Sequence, residues 1–244
     1  MSLRSDLVSA TLLLTRLPVR GTPTARAADA AWAWPLAGLL VGLPAGLAGM
    51  AVAASNLPGG LAAAVALTVL VVLTGAMHED GLADCADGFW GGFDPARRLE
   101  IMRDSRIGTY GVLALGLSLI ARWVLLELAL AQGNLLGACL VAGVVSRAPM
   151  AVLLRHLPPA REDGLAHGAG RPGARAVWVG LGFAALALAS QGVLHALFGA
   201  GLALLAAAGV AALARAKIGG QTGDVLGATQ QLSEIAVLAA LVAR

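Results

Sequence analysis

Charge is what this sequence has least of. Only 13% of its 244 residues are Asp, Glu, Lys or Arg, while 58% are hydrophobic, and mean hydropathy is +0.80. A soluble domain carries about 25% charged residues, so that class is excluded and an integral membrane protein is expected. The length suits one bundle, a single integral-membrane catalytic domain over residues 1–244, with no room for a separate soluble domain. Cysteine is nearly absent too. Cys85 and Cys139 stand in different parts of the chain and form no disulfide framework. No GxxxxGK[ST] run occurs, and no GxGxxG opens a strand–helix unit, so no nucleoside-triphosphate fold holds the donor. The four histidines, His78, His156, His167 and His195, lack metal-ligand spacing. A small-residue exit for a cleaved signal peptide is also missing, since Arg16, Pro18 and Arg20 end the first apolar stretch.

Residues 3–20 therefore read as an interfacial amphipathic helix, and GTPTARAADAA after it as a loop. Apolar runs near 35–55, 60–78, 110–131, 134–154, 176–197 and 199–216 each approach the ~20 residues needed to cross ~30 Å of hydrocarbon. The last stretch spans if its helix begins at Asp224 and is too short if it begins at Ser233. The expected fold is thus all-α, a polytopic membrane bundle of six to seven transmembrane helices plus the interfacial one. Basic residues alternate by connection. Arg4, Arg16, Arg20 and Arg26 come first, then Arg97, Arg98, Arg103 and Arg106. Arg155, Arg161, Arg171 and Arg175 follow, and lastly Arg215 and Lys217, while SNLPGG, AQGN and FGAG carry no charge. The positive-inside rule then puts the N-terminus and the charged loops in the cytoplasm.

What charge there is gathers in one place. The stretch HEDGLADCADGFWGGFDPARRLEIMRDSRIGTYG, His78 to Gly111, holds seven of the fourteen acidic residues. On a helix, Asp80, Asp84 and Asp87 fall within a wedge of roughly 60°. Carboxylates packed this way repel unless a cation lies between them, and hard oxygen donors select Mg²⁺, Mn²⁺ or Ca²⁺ over zinc. Cys85 lies among these oxygens, which argues against a thiolate site. Gly81, Gly88, Gly91 and Gly92 allow close approach of backbone or ligand. Arginine offers a planar fork to phosphate, so Arg103 or Arg106 suits a pyrophosphate clamp, and a spare carboxylate suits proton acceptance. The pattern points to metal-dependent phosphoryl or nucleotidyl transfer at a membrane face. Farther along, Asp224, Gly227, Gln231 and Glu234 share one helix face that should look into a wet cavity rather than lipid. Arg122, Glu127 and Arg147 fall inside predicted spans, with Arg122 the strongest further site candidate.

The central motif, together with LTRLPV at 14–19, the WPLAGLLVG segment and GGQTGDVLGATQQLSE from Gly219 to Glu234, resembles the adenosylcobinamide-GDP ribazoletransferases, or cobalamin synthases. The loop at 155–175 matches least. The resemblance implies a Mg²⁺-dependent inner-membrane enzyme of late cobalamin biosynthesis. Such an enzyme joins adenosylcobinamide-GDP to α-ribazole or its 5′-phosphate and releases GMP. Carried onto this chain, Glu79, Asp80, Asp84 and Asp87 become the expected metal and catalytic carboxylates, with Asp104 completing the site. Arg103, Arg106 and Lys217 would contact phosphates, and Asp224 and Glu234 would approach from the last helix. Expected partners are the two small-molecule substrates and the lipid bilayer, with no nucleic acid; a homo-oligomer suits so small a bundle, but no residue pattern specifies one.

Two rivals remain at this point. A CDP-alcohol phosphotransferase would continue Asp80-Gly81 as DGxxAR, whereas Asp84 is followed by Cys85. An ion-coupled transporter would show a second discontinuous segment in the other half, and none is present.

Overall fold

Residues 2–243 are described by the structure, a computed structural model. Among them the chain is helical, the exception being one isolated parallel bridge between Pro159 and Gln221. The first helix, α1 (Leu3–Leu14), buries Asp6, Ala10 and Leu14 on one side. It lies against a 3₁₀ helix at Ala27–Ala33, where the sequence reads as a loop; the Trp32 indole donates to Asp6 at 3.0 Å and ties the two together. Pro35 in the first turn then starts α2 (Trp34–Ala53), a position where its missing N–H costs nothing.

The next apolar run stops early. Helix α3 (Gly59–Thr74) ends at Gly75 and Ala76, both left-handed with φ of +64° and +57°. This turn swings the chain through 86° into α4 (Met77–Gly91), which carries the acidic motif. An expected span at 60–78 is therefore a 16-residue helix followed by a sharp corner. Asp94 caps the short α5 (Pro95–Ile101) by accepting the Arg97 N–H at 2.9 Å. Then come α6 (Thr109–Ala131), α7 (Leu135–Val145), α8 (Ala148–His156) and the short α9 (Gly164–Ala169).

The boundary expected at FGAG is misplaced. Helix α10 (Ala174–Ala189) has 16 residues, about 24 Å, and the break comes at Gly192 with φ +89°. Helix α11 (Val193–Ile218) runs straight through FGAG. Alanine and leucine on both sides of these residues sustain a helix, so glycines there do not end it. The final helix, α12 (Gly223–Val242), is continuous from Asp224 onward. Five helical stretches are long and apolar enough to cross a membrane among the described residues, or six if the bent α3–α4 pair counts as one.

Small residues set the packing. A Cβ on Gly38 would meet the Gly143 carbonyl at 2.1 Å, so α2 and α7 touch backbone to backbone, as small residues permit between apolar helices. Leucines such as Leu117, Leu186 and Leu204 point outward at 68–71% exposure, which suits lipid. Helix α12 is different. Packed against α4, α6, α7, α8 and α11, it is the central helix and carries Gln230, Gln231 and Glu234 into the interior.

Candidate active site

Glycine also builds the site. Where α4 crosses α12, a Cβ on Gly81 would lie 2.8 Å from the Asp224 carbonyl oxygen, and one on Gly227 would lie 3.3 Å from the His78 backbone. The helices can approach this closely only because both positions lack side chains. The contact brings Asp80 and Asp84 of α4 within electrostatic reach of Asp224 at the start of α12. Thr222 caps that start, accepting the Val225 N–H at 3.3 Å.

A second crossing adds Arg161. Segment 158–160 pairs with the strand-like entry to α12: the Gln221 N–H donates to Pro158 at 2.8 Å and the Ala160 N–H to Gln221 at 2.9 Å. This leaves the Arg161 guanidinium 3.5 Å from Asp224, with Nη1 buried and without a hydrogen-bond partner. Two cavities meet at Asp80. One, about 180 Å³, is walled mainly by apolar side chains and edged by Asp80, Arg161 and Asp224. The other, about 430 Å³, is lined by Asp80, Asp84, Arg103 and Asp104.

The remaining acidic residues of the motif are turned elsewhere. Asp87 is buried and accepts the N–H groups of Gly108 and Gly111, at 2.7 and 2.9 Å, so it caps α6 from a neighbouring helix. Glu79 faces inward and pairs with the buried Arg122 at 2.9 Å, and Arg122 also reaches Glu234 at 3.3 Å. Gln231 donates to Glu79 and accepts from Ser118, while Gln230 donates to Glu234 and Ser146. Arg147, buried beside them, donates to the Gly143 carbonyl at 2.7 Å. Gln231 and Glu234 on the polar stripe of α12 thus meet protein, where the sequence suggested a wet cavity, while Asp224 and Gly227 at its start edge a cavity. Two guanidinium and two carboxylate groups make the cluster neutral, as a buried charge group requires.

Arg106 holds Asp104 at 2.7 Å on the surface, and its side-chain and backbone hydrogen bonds hold the Asp104 carboxyl down at about 2. Arg103 pairs with Asp163. Lys217 lies 5.6 Å over the Trp90 ring, away from both cavities. Glu127 lies near Gly60 on the far side of α6.

The quartet Glu79, Asp80, Asp84 and Asp87 is therefore not gathered around one point. Asp87 spends both oxygens, and Glu79 its Oε1, on protein partners, and among the described residues no three His, Cys, Asp or Glu side chains converge as a metal cage. The carboxylates that lie within electrostatic reach of one another are Asp80, Asp84 and Asp224. Magnesium is normally held by one or two carboxylates plus waters and substrate phosphates, and Asp84 with Asp224 fits that pattern. Arg161 was not legible as a site residue. Arg161 sits in a loop 63 positions before Asp224, and only the Pro158–Gln221 pairing joins them.

These features define a class: a multi-pass helical membrane protein that gathers carboxylates and guanidinium groups beside cavities at one end of its bundle. Comparison with known proteins narrows it. The family model described as cobalamin-5-phosphate synthase matches residues 6–242, and the chain belongs to that family, a family of transferases in cobalamin biosynthesis. Among curated relatives, the adenosylcobinamide-GDP ribazoletransferase of Azorhizobium caulinodans is 46% identical, covering 96% of this chain and 94% of its own. Those of Mesorhizobium japonicum and Bradyrhizobium diazoefficiens are 44% and 46% identical, each over 96% of this chain and 91% and 92% of theirs. No solved structure matches the chain.

Proposed function

We propose that the protein joins adenosylcobinamide-GDP to α-ribazole, or to its 5′-phosphate, and releases GMP, with Mg²⁺ as cofactor. The observation that carries this reading is the glycine-mediated contact of α4 with α12, which sets Asp80 and Asp84 against Asp224 and Arg161. The relatives bearing that enzyme's name support the same reaction.

In this reading Asp84 and Asp224 would hold the cation, which leaves Asp80 free as the base. When bound, Mg²⁺ neutralises charge on the donor's phosphate oxygens and helps align attack and departure. The chain's own groups do the rest. Arg103 and Arg161, one on each cavity, clamp the pyrophosphate through their planar forks. Asp80, exposed and shared by both cavities, accepts the proton of the ribazole hydroxyl as its oxygen bonds to the cobinamide-bound phosphorus. The bond from that phosphorus to the GMP oxygen breaks. This end of the bundle faces the cytoplasm in the bacterial inner membrane, the side that the arginine-rich connections favour.

The test is direct. Purified protein with adenosylcobinamide-GDP, α-ribazole and Mg²⁺ is expected to release GMP and a corrin product in equal amounts, and chelation with EDTA to stop it. Absence of GMP with every divalent cation tried would overturn the reading.

A further inference from the structure

The smaller of the two cavities lies between α1, α2, α4, α8, α9 and the start of α12, and neither its shape nor its walls are explained by pyrophosphate binding. Leu14, Trp34, Met77, Met150 and Leu226 make it apolar. Two of its wall residues are 1% exposed yet incompletely paired: Trp34 has no acceptor for its Nε1–H, and His78 has no partner at either ring nitrogen. Buried polar atoms are nearly always satisfied by protein, water or ligand. An apolar slot with a few unpaired polar atoms, opening on charged groups, is the usual form of a small-molecule pocket.

We propose that this cavity binds a flat, apolar, bicyclic aromatic base bearing one ring-nitrogen acceptor. Resting on the reaction proposed above, that base is the dimethylbenzimidazole of the ribazole acceptor. Its two methyl groups suit walls of leucine and methionine. Its unsubstituted ring nitrogen can accept from the Trp34 Nε1–H, and once glycosylated it has no N–H of its own to satisfy. Guanine fits poorly. With its phosphates at the Asp80, Arg161 and Asp224 edge, a guanine seated deeper would set its amino group, ring N–H and carbonyl against Leu14, Met77 and Met150 and lose their hydrogen bonds. At about 180 Å³ the cavity is below the ~300 Å³ typical of pockets for larger ligands, so a corrin is excluded. With the base seated here, the ribose projects toward Asp80, Arg161 and Asp224, where its hydroxyl is needed.

The test is a comparison of substrates on full-length protein in detergent. Leu226→Phe and, separately, Met150→Phe narrow the cavity. Each is expected to raise KM for α-ribazole by about tenfold or more, while KM for adenosylcobinamide-GDP moves less than about threefold. Trp34→Phe removes the donor; it is expected to weaken α-ribazole but not an analogue whose base is a dimethylindole, which lacks the ring acceptor. A rise confined to adenosylcobinamide-GDP would assign the cavity to guanine and overturn the proposal, as would unchanged constants for both substrates in monodisperse, folded variants. Calorimetric binding of 5,6-dimethylbenzimidazole itself, present in wild type and lost in Leu226→Phe, tests the cavity without turnover. Wild-type protein that binds the base but forms no GMP would refute the reaction and leave the pocket standing. Failure to bind the base refutes the pocket.

Discussion

Carboxylates that look equivalent along α4 are held in three different ways. Asp80 and Asp84 face cavities, Glu79 faces Arg122, and Asp87 faces two backbone N–H groups. Their substitutions should separate accordingly. Asp80→Asn and Asp84→Asn are expected to lower turnover by about two to four orders of magnitude with melting temperature in detergent nearly unchanged. Asp87→Asn instead sets an amide donor against the Gly108 or Gly111 N–H, and should cost about 1–3 kcal/mol of stability, read as a lowered melting temperature. Asp104 makes a pH prediction. Arg106 holds its carboxyl down at about 2, below its unfolded value, so it stays ionised as pH falls from neutrality until that low pH is reached. Asp104→Asn should therefore leave the acid limb of the pH–rate profile where it is, whatever it does to the rate.

At the scale of elements, the decisive contacts are α4 on α12 and the Arg122 bridge behind it. Gly81→Ala places a methyl 2.8 Å from the Asp224 carbonyl, where the opposing atom is backbone and cannot turn aside. The variant is expected to lose about 1–3 kcal/mol and most of its activity, because separating the helices separates Asp80 from Asp224. Removing Arg122 alone strands Glu79 and Glu234 in the interior. Arg122→Met should cost about 3–5 kcal/mol, and Arg122→Met combined with Glu79→Gln, which leaves Arg147 to balance Glu234, should recover much of it, measured by thermal unfolding. If the double variant melts well but turns over slowly, the bridge serves positioning as well as stability.

For the whole molecule, the arrangement of helices makes a topological prediction. In a background with the buried Cys85 and Cys139 replaced by alanine, a cysteine in place of Ser105 should react with a membrane-impermeant maleimide only from the cytoplasmic side. One in place of Ser55 should react only from the opposite side. Both serines are exposed, so a failure to label reports sidedness and not burial.

Much of this architecture was legible in the sequence, because membrane insertion depends on summed hydropathy and loop charge, and both are local sums. That holds for the all-helical fold, the apolar runs at 35–55, 110–131 and 134–154, and the gathering of acid between His78 and Asp104. The likeness of the long acidic motif to one family was local as well. Other matters depend on which residues meet across the fold. The corner at Gly75–Ala76, the break at Gly192 and not at FGAG, and the inward turn of Glu79 and Asp87 are of this kind. So is the arrival of Arg161 and His78 beside Asp224 and Trp34. Helical spacing says which side chains share a face, but only the packed neighbours decide whether that face meets a guanidinium, a helix end or an open cavity.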